Sequence, residues 1–203
     1  MSNISEKIIL ELIKNPPKND EGILSVKRKF AKKYNTVLPT NAELLEAYRK
    51  IRRDSSRAAQ KKYGSRPVPP LEYLLRKRQV RTLSGVAPIA VLTKPYKCPG
   101  NCAYCPSQKV MPKSYLSNEP AVMRAQLCDW HPFKQVALRI KALTANGHPT
   151  DKLELIVMGG TWNALPEKYR LWYIYACFKA ANNPNIKILN PKYKILNKSK
   201  IQN

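Results

Sequence analysis

The chain has 203 residues, of which 43% are hydrophobic, enough for one medium-sized domain or two small ones. It carries 37 Lys and Arg against 13 Asp and Glu, a formal net charge of +24. Such a charge repels itself in a lone compact protein and predicts a polyanionic partner, RNA or DNA. The apolar run LWYIYACF is too short to span a bilayer, and the N-terminus lacks a secretory signal. We therefore expect a cytoplasmic protein with no membrane partner.

The N-terminal part has the pattern of a small helical unit over residues 1–53. Apolar residues recur at helical spacing, and Pro16 and Pro17 end the first pattern. Thr40 and Glu43 have the spacing of a capping box in front of the third pattern. The three predicted helices cover 2–14, 22–34 and 39–51.

A basic stretch follows from Arg49 to Arg81, with twelve Lys and Arg and only two acidic residues. Residues 54–85 are predicted to be a connector, because the prolines of GSRPVPP require an extended or turning backbone. Two interpretations stay open: a solvated linker, or a surface that follows phosphates while Tyr63 and Tyr73 stack on bases. The candidate phosphate contacts are Arg52, Arg53, Lys61 and Lys62.

Residues 86–182 have the alternating pattern of an α/β fold with a parallel sheet. Two apolar, β-branched runs predict buried strands, and an amphipathic pattern follows each of them. Pro132 and Gly147 are placed as the first-turn proline and the C-terminal glycine of the first helix. The predicted order is strand 86–92, helix 131–148, strand 152–161 and helix 165–182.

The loop after the first strand, YKCPGNCAYCPSQ, contains Cys98, Cys102 and Cys105 in the spacing C-x3-C-x2-C. Cysteine thiolates bind zinc or iron–sulfur clusters. A structural zinc ion needs four ligands, and Cys128 and His131 are the candidates to complete such a site. In the other interpretation three cysteines hold a four-iron cluster, whose fourth iron stays open to a ligand that is not protein.

This cysteine spacing, with Tyr104 before the last cysteine, resembles the signature of radical S-adenosylmethionine enzymes. The resemblance implies that Cys98, Cys102 and Cys105 hold a 4Fe-4S cluster. The open iron of that cluster binds the methionine part of S-adenosylmethionine, and reduction yields a 5′-deoxyadenosyl radical. It also implies that a glycine-rich end of the second strand lies along the cofactor, which here corresponds to Gly159, Gly160 and Thr161.

Three longer segments, VRTLSGVAPIAVLTKPYKCPGNCAYCP, SYLSNEPAVMRA and DKLELIVMGGTWNALPEKYR, resemble the catalytic subunit of Elongator over roughly residues 20–182. The resemblance implies a tRNA partner, acetyl-CoA as a further cofactor, and formation of carboxymethyluridine at the wobble uridine. It also implies that Lys152 contacts acetyl-CoA, and that the basic N-terminal region binds tRNA. It assigns no further catalytic residue.

The chain departs from the family pattern in two ways. Two β/α units stand where the family has about six, and no acetyltransferase domain follows. We therefore expect the first part of a truncated barrel, working with further Elongator-type chains or a separate C-terminal half. Residues 183–203 form a biased Asn, Lys and Ile tail, for which out-of-frame or readthrough sequence is our hypothesis. The alternative functions are another radical S-adenosylmethionine enzyme acting on RNA, and a non-catalytic, zinc-containing nucleic-acid binder.

Overall fold

The computed structural model describes residues 4–58 and 71–183, with side chains left out for 54–58. The fold is α/β and mostly helical, with one small parallel sheet. Within the described ranges, none of the helices is both long and apolar enough to cross a membrane. The helices are α1 (Ile4–Lys14), α2 (Asp20–Tyr34), α3 (Asn41–Ala58), α4 (Leu71–Leu75), α5 (Pro120–Leu127), α6 (Pro132–Ala145) and α7 (Glu167–Asn182). The strands are β1 (Ala87–Leu92) and β2 (Leu153–Met158), and short 3-10 turns cover Gln79–Thr82 and Trp162–Ala164.

Helices α1 to α4 share one apolar core, so the predicted helical character of the N-terminal part is confirmed. The predicted capping box is also present at the start of α3. The Thr40 main-chain N–H donates to Glu43 Oε2 at 2.6 Å, and the Glu43 N–H donates to Thr40 Oγ1 at 3.2 Å. Two N–H groups that the helix itself leaves unpaired are thereby satisfied. Helix α3 continues to Ala58, beyond the predicted end at Ile51.

The second part of the molecule is built on the pair β1 and β2. The two strands run parallel, with Ala87 opposite Leu153 and Leu92 opposite Met158. Helices α6 and α7 cover one face and share its apolar core, and α5 packs near the end of β1. The predicted parallel pairing is confirmed, whereas a radical S-adenosylmethionine barrel stays a prediction.

The ends of α6 follow the expected pattern. Pro132 occupies the first turn, and Gly147 follows the helix with a φ of +83°. A Cβ atom at Gly147 would lie 3.2 Å from Leu45 Cδ1, so glycine lets α6 approach the helical core closely. Arg49 Nη1 also donates to the Thr144 carbonyl at 2.9 Å, which joins α3 to the end of α6.

Several sequence interpretations concern residues outside the described ranges. These are Lys61, Lys62 and Tyr63, the GSRPVPP segment, and nearly all of the 183–203 tail. The domain boundaries after residues 53, 85 and 182 stay predictions. Leu71 and Leu75, inside the predicted connector, are buried in the helical core.

Candidate functional site

The cysteine loop begins at the carboxyl end of β1, where four hydrogen bonds fix the backbone. The buried Gln135 amide accepts from the Leu92 N–H and donates to the Leu92 carbonyl, both at 2.9 Å. The next N–H, of Thr93, donates to the Met158 carbonyl of β2 at 2.9 Å. The N–H of Lys94 donates to the Tyr169 hydroxyl at 3.2 Å. The loop therefore leaves a rigid base formed by both strands and by α6 and α7.

The three loop cysteines are free thiols, and Cys102 is exposed while Cys98 and Cys105 are partly buried. A Cβ built on Gly100 would lie 3.7 Å from the sulfurs of both Cys98 and Cys102. Because both sulfurs lie 3.7 Å from the same point, the distance between them is at most twice that value. Cys105 Sγ lies 2.7 Å from the Ser114 hydroxyl.

The arrangement of the thiols is open. Within residues 4–58 and 71–183, no three His, Cys, Asp or Glu side chains are close enough together to hold a metal ion. The loop backbone contains two non-glycine residues in the left-handed region, Val110 with a φ of 66° and Ser114 with a φ of 78°. This conformation is unfavourable for the β-branched Val110.

The donor set fits an iron–sulfur cluster held by three thiolates. Residues 94–118 contain no Asp or Glu, so no carboxylate competes with the cysteines, and four lysines give the loop a positive charge. A thiolate-ligated cluster is anionic and is stabilised by such a field. The loop therefore has ligands and a charge that suit such a cluster.

The glycine loop after β2 lies directly beside the cysteine loop. Cys98 Sγ is 3.2 Å from Thr161 Oγ1, and the Thr161 hydroxyl is the main cause of a lowered pKa at the Cys98 thiol. A lower pKa favours the thiolate, the form that binds metals. A residue predicted as a metal ligand and a residue predicted as a cofactor contact are thus adjacent.

The two glycines of this loop have different surroundings. Gly159 has a φ of +152°, and a Cβ there would lie 2.1 Å from Thr93 Oγ1, so the fold itself requires glycine. A Cβ at Gly160 would meet Lys113 Cβ at an ordinary 3.6 Å. The protein therefore leaves space beside Gly160. Gly160 is consequently the better probe of a ligand that approaches the backbone.

Two cavities border these loops. One, of ≈ 410 Å³, is lined by the cysteine loop from Tyr96 to Asn101 and by Ser107, Gln108, Met111 and Lys113. The other, of ≈ 400 Å³, is lined by Thr93, Tyr115, Gly159, Gly160 and Trp162, among others. Each is large enough for a cofactor fragment. Sequence reasoning missed Thr93, Ser114 and Tyr115, because no motif marks them and only the fold brings them to the site.

Lys152 lies apart from this site. It is exposed, it directly precedes β2, and its carbonyl accepts from the Ala87 N–H at 2.9 Å. The glycine loop follows β2 at the other end, about 20 Å away for a six-residue strand. The structure therefore does not bring Lys152 together with the cysteines.

The remaining described candidates lie outside the cysteine loop. Arg52 and Arg53 are exposed on α3, while Lys61 and Lys62 are outside the described residues. Cys128 and Cys177 are buried, as expected for core cysteines, and burial raises the pKa of Cys177 to about 12. The ring of His131 packs edge-on against Trp172, with centroids 5.3 Å apart.

These features define a class: an α/β protein with a three-thiol loop and a glycine loop side by side at the carboxyl ends of two parallel strands. Comparison with curated proteins gives the family. The chain is 49% identical over 106 residues to the tRNA uridine(34) acetyltransferase of Dehalococcoides mccartyi, covering 52% of this chain and 23% of that protein. Against the protein of the same name from Methanocaldococcus infernus it is 46% identical over 128 residues, 60% of this chain and 24% of the relative.

A third relative covers more of the chain. Elongator complex protein 3 of Drosophila melanogaster is 35% identical over 180 residues, which are 83% of this chain and 30% of that protein. No protein-family model matches. The chain is therefore a homologue of tRNA uridine(34) acetyltransferases and of Elongator complex protein 3, the family whose resemblance the sequence motifs had indicated. It spans about a quarter to a third of the length of these relatives.

Proposed function

We propose that this chain forms the cluster and S-adenosylmethionine site of a tRNA-modifying enzyme that makes carboxymethyluridine at the wobble uridine with acetyl-CoA. The contact between Cys98 and Thr161 carries the proposal, because it joins the two loops that the radical S-adenosylmethionine motif requires to be neighbours. The names of the relatives support uridine 34 as the target and an acetyl group as the donor chemistry.

In this proposal Cys98, Cys102 and Cys105 hold a 4Fe-4S cluster. Such a cluster supplies the electron that cleaves S-adenosylmethionine when both are bound. The protein contributes position: Gln135 and Tyr169 fix the start of the cysteine loop, and the backbone at Gly160 leaves space for the cofactor.

The acetyl-CoA contact of Lys152 belongs to the proposal as well. Lys152 lies at the opposite end of β2 from the thiols. In this proposal it therefore contacts a part of acetyl-CoA that is remote from the reacting carbon, or it contributes to acetyl-CoA binding and not to the chemical step. Partner chains of the Elongator type are proposed from the name of the third relative.

Anaerobic reconstitution with iron, sulfide and zinc in competition tests the proposal. We expect a four-iron cluster by absorption and paramagnetic resonance after reduction, and a spectral change when S-adenosylmethionine is added. Stoichiometric zinc without iron would contradict it and favour a structural zinc site. Cys128, a ligand candidate for that zinc, is buried at the end of α5 and has a raised pKa through burial.

A further inference from the structure

A cationic pocket lies at the end of the sheet away from the cysteines. The pocket has a volume of ≈ 200 Å³ and lies between residues 77–81 and the last turns of α6. Lys77, Arg78, Arg81 and Arg139 contribute to its walls, and no Asp or Glu does. Four cations from two segments 58 positions apart therefore face one small space.

None of these four cations forms an ion pair within residues 4–58 and 71–183. The ion pairs found there join Arg49 to Glu72, Lys50 to Glu6, and Lys134 to Asp129. The like charges also affect a neighbour: burial lowers the pKa of Arg124, and the charge of Arg81 lowers it further. An anion in the pocket would relieve this repulsion, and arginine is well shaped to bind phosphate oxygens.

A role in neutralising the end of α6 does not account for these cations. The C-terminus of a helix carries partial negative charge, which basic residues often balance. Here the N–H groups of Asn146, Gly147 and His148 already donate to the last carbonyls of the helix. The side chain of Arg49, from α3, donates a further hydrogen bond to the Thr144 carbonyl.

The pocket is held in shape by buried contacts. His148 and Thr82 are both buried, and His148 Nδ1 lies 3.0 Å from Thr82 Oγ1. This bond fixes the turn that carries Arg81 against the segment that follows α6. Arg78 has a φ of 56°, a left-handed conformation that directs the chain into the 3-10 turn. The cations are thus presented by a preformed surface, which lowers the entropic cost of binding.

The pocket lies at the amino ends of the strands. Thr82 precedes β1 and His148 precedes β2, whereas the cysteine and glycine loops follow the same strands. A six-residue strand separates the two ends by about 20 Å. A ligand in the pocket is therefore too far from the thiols to take part in their chemistry.

We propose that this pocket binds a backbone phosphate of RNA and so anchors the substrate at a point remote from the reaction. The choice of RNA rests on the proposed function, together with the net charge of +24. The choice of phosphate as the bound group rests on the four cations of the pocket. A single anchored phosphate at this distance would set the orientation of a folded RNA without reading its sequence.

The test uses the full chain and an unmodified tRNA transcript with uridine at position 34. Lys77→Gln with Arg78→Gln removes two exposed cations of the pocket, and Arg139→Gln removes one from the opposite wall. Arg28→Gln with Lys29→Gln on the exposed surface of α2 removes the same charge elsewhere. We expect the pocket double variant to lose roughly tenfold in tRNA affinity at moderate salt, and the salt slope to fall by about one unit per contact.

Hydroxyl-radical footprinting of the bound tRNA locates the effect. The pocket variants should lose protection over one short stretch, while the α2 control keeps it. Equal losses in both double variants would overturn the proposal in favour of the general field of the protein. Tight binding of inorganic phosphate, with normal tRNA affinity in the pocket variants, would overturn it in favour of a free anion.

Cluster assembly in the same variants separates this proposal from the proposed function. We expect an unchanged iron content, because the pocket and thiols are at opposite ends of the strands. A chain that binds tRNA through the pocket but takes up only zinc would contradict the proposed chemistry and leave the anchor supported. A chain that forms the cluster, while its pocket variants bind tRNA normally, would contradict the anchor alone.

Discussion

The two ends of the β1 and β2 pair present their polar groups in different ways. At the carboxyl ends, the cysteine loop is largely exposed and contains left-handed, non-glycine residues such as Val110 and Ser114. At the amino ends, the cations surround a pocket that is fixed by the buried contact of Thr82 and His148. The first end therefore presents three thiols on an exposed loop, and the second presents four cations around one preformed pocket.

Under the two proposals, the two ends of the strands have different functions, cluster binding at one and RNA binding at the other. A cluster can order its own loop on binding, because metal–thiolate bonds are strong enough to offset the loss of loop entropy. A phosphate contact is weaker, so it benefits from a surface that is already formed. The expected consequence is that variants at one end change chemistry and variants at the other end change RNA affinity.

The largest effect is expected at the cysteines. Replacing Cys98, Cys102 or Cys105 by alanine should abolish a stable four-iron cluster, because two thiolates are too few to hold it. Iron and sulfide content after anaerobic reconstitution measures this. Cys128→Ala is the matched control and should keep the cluster, since Cys128 is a buried residue outside the loop. Loss of iron in that control would show that the ligand set is wrong.

The second effect concerns the basic stretch from Arg49 to Arg81, which has twelve basic and two acidic residues. If about six of these charges contact phosphates, tRNA affinity should fall roughly a thousandfold between about 50 and 200 mM salt. Neutralising Arg52, Arg53, Lys61 and Lys62 together should flatten the slope by about one unit per lost contact. It should also weaken all tRNAs alike.

Circular dichroism of that quadruple variant provides the control for folding. An unchanged salt slope with intact helical signal would favour a solvated linker, and would leave the cationic pocket as the main phosphate contact. RNA binding would then be confined to the amino ends of the strands, and the two ends would differ more clearly in function.

The sequence allowed much of the fold to be predicted, because the decisive signals are local. The capping box of Thr40 and Glu43, the glycine after α6 and the two apolar strands all depend on residues within a few positions of each other. Helix α5 was not predicted, since its eight residues have only a weak apolar pattern. The contact of Cys98 with Thr161 was not predicted, because it joins positions 63 residues apart and depends on how the fold places the two loops.

The remaining features depend on contacts between distant parts of the chain. Gln135 pairs with Leu92 across 43 positions, and nothing in its surroundings marks it as the residue that fixes the end of β1. The cationic pocket likewise combines residues 77–81 with Arg139. The position of Lys152 is different: strand direction alone places it at the far end of β2 from the glycine loop, so this separation follows from the predicted parallel fold.

The third effect tests the carboxyl end through its two glycines. Gly160→Val should weaken S-adenosylmethionine binding roughly tenfold or more without loss of iron, because the added side chain occupies space that the protein leaves open. Gly159→Ala is expected to act differently and to destabilise the fold, since its Cβ would collide with the Thr93 side chain. Calorimetry and thermal unfolding separate the two. Normal cofactor binding by Gly160→Val would contradict the glycine-loop assignment.

The smallest effect is a pH dependence of stability at the amino end. Burial lowers the pKa of His148 below its ordinary value, and the charge of Arg81 is among the groups that lower it further. The folded state then binds fewer protons than the unfolded state as the pH falls through about 6.5, so the free energy of unfolding decreases on acidification. The slope for one histidine is at most about 1.4 kcal/mol per pH unit.

His148→Gln keeps a polar partner for Thr82 and removes the titration. Its free energy of unfolding, measured in urea from pH 7.5 to pH 5.5, should vary less with pH than that of the wild type. His131 also has a pKa lowered by burial, so His131→Gln serves as the comparison at the other end of α6.

If bound RNA phosphate neutralises the cations around His148, the pKa of His148 should rise in the complex. The stability of the tRNA-bound wild type should then depend less on pH, while the His131 contribution stays unchanged.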